Sequence, residues 1–234
     1  MQYPKLIAHT GCEGTSYNSL ESCEAGMKAG APIIEVDVRV TKDNVAVLQH
    51  DDEPSVSRLN YGQLLETGQK PETLRRILTR FSQLPVAFNL DLKTEEAAGA
   101  AIADITATSA WSQVWFTGAT GLMRNSRYSG HVMWNLPEKL YGLDETGYRQ
   151  LAAELCQQAA ESKFGGVNLH YECCRPDLVR QAHLHGLQVW IYTLPYNQDL
   201  FFKYRNMGVD AITVYEVQKF AALRRTVMTK DGGE

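Results

Sequence analysis

The stretch PIIEVDVRV, residues 32–40, places two carboxylates inside a run of apolar, mostly β-branched residues. Such a run is typical of a strand that is buried in a parallel sheet. Side chains two residues apart on a strand point to the same face, so Glu35 and Asp37 lie together. A buried carboxylate without a partner costs several kcal/mol, and a divalent cation would remove that cost. The stretch therefore predicts a core strand that carries a cation site.

Three other apolar runs end in residues that can carry out chemistry. The runs are KLIAH (5–9), NVAVLQH (44–50) and VAFNLDLK (86–93). The first two end in a histidine, and the third carries Asp91 and Lys93 on one face together with Asn89. Three carboxylates with two histidines nearby suit metal-assisted acid–base chemistry.

Short apolar strands alternate with amphipathic helical stretches along the whole chain of 234 residues. We predict strands near 4–9, 33–40, 86–92, 113–117, 131–135, 165–170, 187–193 and 210–214, with a further strand near 44–49 that forms a β-hairpin with the second. We predict helices near 18–30, 71–82, 95–109, 119–126, 144–163, 175–185, 197–207 and 216–226. Eight such units favour an α/β fold of the (β/α)8 TIM-barrel type, forming a single domain over residues 1–234. A doubly wound open sheet is the alternative, but it usually needs fewer units.

The composition excludes several partners and compartments. A net charge of −4 gives no basic surface for nucleic acid. No apolar run is long enough to cross a bilayer, so no stable membrane insertion is expected. The first residues lack the pattern of a signal peptide, and the five cysteines are odd in number without a CxxC pair. We therefore expect a cytoplasmic protein that acts on a small molecule, in an oligomeric state that the sequence leaves open.

Taken together, these motifs resemble those of the glycerophosphodiester phosphodiesterase family. The family's His-Arg-Gly, Glu-Asn-Thr, Glu-x-Asp-Val, Thr-Lys-Asp, His-Asp and acidic-x-Lys motifs are similar to six stretches of this chain, in the same order. These stretches are His9-Thr10-Gly11, Tyr17-Asn18-Ser19, Glu35-Val36-Asp37-Val38, Thr41-Lys42-Asp43, His50-Asp51 and Asp91-Leu92-Lys93. Gly208-Val209-Asp210-Ala211-Ile212-Thr213 is similar to a later motif of the family.

The resemblance implies a TIM barrel that hydrolyses a glycerophosphodiester to sn-glycerol 3-phosphate and an alcohol. It implies that Glu35, Asp37 and Asp91 hold Mg²⁺ or Ca²⁺. It also implies that His9 and His50 form the acid–base pair and that Lys93 contacts the phosphate. The glycerol 2-hydroxyl would attack first, giving a cyclic phosphate that water then opens.

The chain departs from the family pattern in its substrate-facing parts. Thr10 stands where the family has Arg, and Tyr17 where it has Glu. The insertion after His50 is short. Tyr192 replaces the usual Trp, and we predict that it contacts the substrate as an aromatic wall.

His170, at the end of a strand, is a further candidate for substrate contact. The departures leave two alternatives open. One is phosphodiesterase or phospholipase D-type activity on a lysophospholipid or another diester. The other is a catalytically weak barrel that binds phosphodiesters.

Overall fold

The structure is a computed structural model that describes residues 3–53 and 55–231. Its strands are β1 (Lys5–Ala8), β2 (Ile33–Val40), β3 (Ala46–Leu48), β4 (Ala87–Leu92), β5 (Val114–Gly118), β6 (Met133–Asn135), β7 (Gly166–His170), β8 (Gln188–Tyr192) and β9 (Ala211–Val214). Its α-helices are α1 (Leu20–Lys28), α2 (Tyr61–Glu66), α3 (Leu74–Phe81), α4 (Ala97–Ala107), α5 (Glu145–Glu161), α6 (Pro176–Leu184), α7 (Gln198–Met207) and α8 (Val217–Asp231).

Eight parallel strands form a barrel in the order β5-β4-β2-β1-β9-β8-β7-β6. A parallel bridge between Phe116 on β5 and Val132, just before β6, brings the two ends of the sheet together. β3 lies outside this ring and pairs antiparallel with β2, with Val38 opposite Leu48. The predicted TIM barrel with a hairpin extension after the second strand is therefore confirmed.

The core is built from both faces of the barrel strands. Residues such as Leu6, Ile34 and Leu90 are almost fully buried, as expected for parallel strands covered by helices. The helices begin where the sequence provides caps, and the Ser19 hydroxyl, for example, accepts a hydrogen bond from the Ser22 amide at the start of α1. The same end of α1 lies near the carboxyl ends of β1 and β2, where the site forms.

One predicted helix is wrong, and one helix of the structure was not predicted. The predicted helix at 119–126 is absent, and a single 3-10 turn, Gly121–Met123, follows β5. Gly118 (φ 76°) and Asn125 (φ 55°) take left-handed conformations on either side of this turn, which stops a helix from extending. The short helix α2 was not predicted; Asn60 and Gln63 form a capping box that starts it.

Among the described residues, no helix has the length and apolar character needed to cross a membrane.

Candidate active site

A cavity of about 250 Å³ opens at the carboxyl ends of the barrel strands. It is lined by most of the residues that the sequence singled out: His9, Glu35, Asp37, His50, Asp91, Lys93 and Tyr192. Catalytic groups of TIM barrels gather at this end because every strand delivers its last residues there. The cavity is therefore the candidate active site.

Three carboxylates form a compact group at the bottom of the cavity. One oxygen from each of Glu35, Asp37 and Asp91 lies within 4.8 Å of the other two. β2 and β4 pair in parallel with Asp37 opposite Asp91, so the strand register itself brings two of them together. Thr117 donates a hydrogen bond to Asp91 Oδ1 at 2.9 Å. The backbone of Gly118 passes so close that a Cβ there would lie 2.8 Å from the same oxygen.

Lys93 partly neutralises this group. Its Nζ lies 2.6 Å from Asp37 Oδ1 and 2.6 Å from Asp91 Oδ2. Burial lowers the pKa of Lys93, but the two carboxylates outweigh burial and the net shift is upward. The ammonium group thus stays charged and uses two of its three donors on these carboxylates.

The charges and the donors fit a hard divalent cation. Three carboxylates against one ammonium leave a formal excess of two negative charges. Burial, followed by repulsion from Asp37 and Asp91, raises the pKa of Glu35 well above its usual range. Asn89 Oδ1, which belongs to the same cavity, is buried and has no hydrogen-bond partner among the described residues. Carboxylate and amide oxygens are the ligands that Mg²⁺ and Ca²⁺ prefer, so the group could bind such an ion.

Asn18 and Thr10 hold the acidic group in place. The Asn18 amide group donates to Asp37 Oδ2 at 2.8 Å, and its Oδ1 accepts from the Asp37 backbone N–H at 2.9 Å. The Thr10 backbone N–H donates to Glu35 Oε2 at 2.9 Å, and its hydroxyl accepts from the Asn18 backbone N–H. The segment between β1 and α1 therefore orients two of the three carboxylates, Glu35 through Thr10 and Asp37 through Asn18.

His9 lies beside this group at the end of β1. Its Nδ1 donates to the Thr10 carbonyl oxygen at 2.7 Å, which leaves Nε2 as the basic nitrogen. Nδ1 is also 3.7 Å from Glu35 Oε2. Burial is the main influence on the ring and lowers the pKa of His9, which favours the neutral imidazole.

His50 reaches the same cavity from the loop after β3 and is far more exposed than His9. Its Nδ1 lies 2.7 Å from Asp51 Oδ1, and the hydrogen bond between them lowers the pKa of Asp51. The side chain of Arg39, on β2, donates from Nε to the His50 carbonyl oxygen at 2.9 Å. The loop that carries His50 is thus tied directly to the strand that carries Glu35 and Asp37.

The chain is similar to known proteins in sequence and in fold. Residues 9–62 match the model of the glycerophosphoryl diester phosphodiesterase family. The chain is 27% identical to the probable glycerophosphodiester phosphodiesterase 2 of Mycobacterium tuberculosis, over 88% of this chain and 85% of that protein. A solved glycerophosphodiester phosphodiesterase of Parabacteroides distasonis has a TM-score of 0.77 at 21% identity, covering 97% of this chain and 98% of its own. An Oleispira antarctica phosphodiesterase, solved with the product sn-glycerol-3-phosphate, has a TM-score of 0.71 at 19% identity, covering 95% and 97%.

The chain is similar to the glycerophosphodiester phosphodiesterase family in sequence and in fold. The predicted resemblance to this family and the predicted enzyme class, that of the phosphoric diester hydrolases, are confirmed.

Two aromatic residues, Tyr17 and Tyr215, flank His9. The ring centroids of His9 and Tyr215 are 4.4 Å apart, and the Tyr17 hydroxyl donates to the Tyr215 hydroxyl at 3.5 Å. The Tyr17 ring covers Gly11, where a Cβ would lie 3.1 Å from its carbons. Tyr17 stands at a position where the chain departs from the family pattern, and the structure places it against Tyr215 beside His9.

Tyr192 and His170 end the neighbouring strands β8 and β7 and stand opposite each other in the strand register. Tyr192 lines the cavity, whereas His170 lies outside it, in a neighbouring groove. Their rings are close to perpendicular, with centroids 6.0 Å apart. The structure therefore places Tyr192 at the candidate active site and His170 outside it, next to the Tyr192 ring.

Sequence reasoning missed five polar residues of the lining. Thr117, Asn135, Asn168, Thr193 and Thr213 also border the cavity. The signal for four of them was available, since each is a polar residue inside a short apolar strand. Asn168 also donates to Asn135 Oδ1 at 2.8 Å, so these two amides fix each other.

Proposed function

We propose that this chain hydrolyses a glycerophosphodiester to sn-glycerol 3-phosphate and an alcohol, with a divalent metal ion and a pair of histidines. The observation that carries the proposal is the single cavity that contains His9, His50, Lys93 and the three carboxylates. The Oleispira antarctica relative that holds sn-glycerol-3-phosphate supports the choice of product.

The metal ion in this proposal is Mg²⁺ or Ca²⁺, held by Glu35, Asp37 and Asp91. When bound, such an ion neutralises charge on the phosphate oxygens and so stabilises the transition state. Lys93 has one N–H that is not used on the carboxylates, and in the proposal this donor binds a phosphate oxygen.

His9 and His50 divide the proton transfers between them. His9 is suited to act as the base, because its neutral form is favoured and Nε2 is left to accept a proton from the glycerol 2-hydroxyl. His50 is suited to protonate the leaving alkoxide, because it lines the cavity and its contact with Asp51 through Nδ1 leaves Nε2 for the substrate. Attack by the 2-hydroxyl closes a cyclic phosphate and releases the alcohol. Water then opens the ring, with the two histidines in exchanged roles.

Substrate contact by Tyr192 and His170 and a cytoplasmic location complete the proposal. All five cysteines are free and buried, which is in keeping with a reducing compartment.

The test measures glycerol 3-phosphate release from glycerophosphocholine and glycerophosphoethanolamine, with Mg²⁺, with Ca²⁺ and with EDTA. The variants are His9→Ala and His50→Ala, with His185→Ala on the exposed end of α6 as the matched control. We expect release that depends on metal, is lost in the first two variants by about 100-fold or more, and is retained in the control.

Full activity in EDTA, or in His9→Ala, would contradict the mechanism. A lack of release from these diesters, with hydrolysis of lysophosphatidylcholine instead, would favour the lysophospholipid alternative. Ligand binding without turnover on any diester would favour the catalytically weak barrel.

A further inference from the structure

The ring of His9 packs against two tyrosines that stand behind it. The centroid of the His9 ring lies 4.4 Å from that of Tyr215 and 6.3 Å from that of Tyr17. The two tyrosine centroids are 6.3 Å apart, so the three rings form one compact group, which we call the ring cluster. Neither tyrosine is among the described residues that border the catalytic cavity, whereas His9 is. The ring cluster therefore meets the catalytic cavity through His9.

Tyr215 is attached to a firmly paired part of the barrel. The His9 backbone N–H donates to the Val214 carbonyl oxygen at 3.0 Å, which continues the pairing of β1 with β9. The Glu13 backbone N–H donates to the Tyr215 carbonyl oxygen at 3.0 Å. The Glu13 carboxylate also accepts a hydrogen bond from the Gln218 backbone N–H at 3.0 Å. The backbone of Tyr215 is thus fixed relative to the backbone of His9.

Tyr17 contacts both other rings and the backbone next to them. Its ring plane is nearly perpendicular to that of His9, at 85°, and to that of Tyr215, at 74°. Aromatic rings favour such edge-to-face contacts. Its hydroxyl donates to the Tyr215 hydroxyl at 3.5 Å. Gly11, with a φ of 79°, leaves room for this ring, because a Cβ there would lie 3.1 Å from the ring carbons.

The hydrogen bond of His9 alone does not fix its ring. Nδ1 donates to the Thr10 carbonyl oxygen at 2.7 Å, and this bond holds one atom of the imidazole while the ring plane can still tilt. The face of Tyr215, tilted by 40° to the imidazole, restricts that motion from one side. A group that transfers a proton has to be held within about 0.5 Å and 10–20° of the productive geometry by side chains packed against it.

We infer that Tyr215 is a positioning residue for His9 and that Tyr17 holds Tyr215 in that role. This inference rests on the proposed function, and it adds the residues that orient the proposed base. The contact uses the face of the Tyr215 ring, so phenylalanine at this position should replace tyrosine and an aliphatic side chain should not. Loss of the contact should lower kcat and leave KM almost unchanged, because Tyr215 acts on His9 and does not border the cavity.

The experiment measures kcat and KM for glycerophosphocholine, with saturating Mg²⁺, in Tyr215→Leu, Tyr215→Phe and Tyr17→Leu. The matched control is Tyr196→Leu, at the same end of the barrel, where the ring packs on Phe220 instead. We expect Tyr215→Leu to lower kcat about 10-fold with KM within about twofold. Tyr17→Leu should lower kcat about 3-fold, because the Tyr215 face remains. Tyr215→Phe and the control should stay within about twofold of the wild type.

A second measurement reports the ring contact without turnover. NMR of histidine-labelled protein, without substrate, follows the ring protons of His9, and His9→Ala assigns their signals among the six histidines. The Tyr215 ring should shift these signals upfield in the wild type. The shift should disappear in Tyr215→Leu and persist in Tyr215→Phe. Urea unfolding of each variant checks that the fold is retained.

An unchanged kcat in Tyr215→Leu, or an equal loss in Tyr215→Phe, would overturn the inference while leaving the proposed hydrolysis intact. A loss that appears in KM alone would overturn it as well, since it would place Tyr215 in substrate binding. A wild-type enzyme that releases no glycerol 3-phosphate from glycerophosphocholine or glycerophosphoethanolamine would instead refute the proposed function. The NMR shift would then still decide whether Tyr215 holds the His9 ring.

Discussion

Replacing Asn18 by alanine should both destabilise the fold and weaken the metal site. The Asn18 side chain makes two buried hydrogen bonds to Asp37, one to its carboxylate and one from its backbone N–H. The bond to the charged oxygen is worth about 1.5–3 kcal/mol and the other about 1 kcal/mol. Asn18 also has a φ of 53°, where alanine costs roughly 1 kcal/mol more than asparagine. We expect Asn18→Ala to lower the free energy of unfolding by about 4 kcal/mol.

Urea unfolding followed by tryptophan fluorescence measures this loss. Asn18→Gly is the matched control, since glycine tolerates the positive φ but also lacks the hydrogen bonds. It should recover about 1 kcal/mol of the loss and no more. Isothermal titration of Mg²⁺ should show an affinity about 10-fold or more below that of the wild type, because Asp37 is no longer oriented. A loss below about 1 kcal/mol with unchanged Mg²⁺ affinity would refute the reasoning.

Two further predictions concern buried ionisable groups. Folding raises the pKa of Glu35 above its ordinary value of 4.5, so the ionisation of this carboxyl opposes folding. The loss of stability is absent at low pH and grows as the pH rises above 4.5. In EDTA, Glu35→Gln should therefore unfold at a higher urea concentration than the wild type at about pH 7, and at the same concentration at about pH 4. Saturating Mg²⁺ should reverse the order, because the wild type then gains the binding energy of the ion. A variant that is less stable than the wild type in EDTA at neutral pH would contradict this. Burial raises the pKa of Cys23 and of Cys174 to about 12. Mass spectrometry should therefore find neither thiol alkylated by iodoacetamide at about pH 8 until the protein is unfolded. Rapid labelling of the native protein would count against the buried environment.

The local sequence predicted the strands well because their signal is local. Most barrel strands are short apolar runs with a polar residue near one end. Such runs form buried parallel strands whatever the order of the strands in the sheet. The helix at 119–126 was wrong for the opposite reason. Its residues permit a helix, but the left-handed conformations of Gly118 and Asn125 follow from how β5 must turn toward β6.

Site residues divide in the same way. Glu35 and Asp37 could be paired from the two-residue period of a strand. His9, His50, Asp91 and Lys93 could be found at the ends of apolar runs, and the family resemblance added their roles. The period alone could not reveal that Asn18 is the residue that orients Asp37, because the two are 19 positions apart and meet only after α1 packs on the barrel.

The sequence by itself determined the parallel barrel and the residue types of its acidic centre, because strand period and apolar patterning act over a few residues. The tertiary structure alone decided that Tyr17 meets Tyr215 beside His9, that His170 lies outside the cavity, and that Glu138 and Glu172 share one groove. These contacts join loops that are far apart in the chain. They depend on the closure of the barrel, which brings the ends of all eight strands to one face.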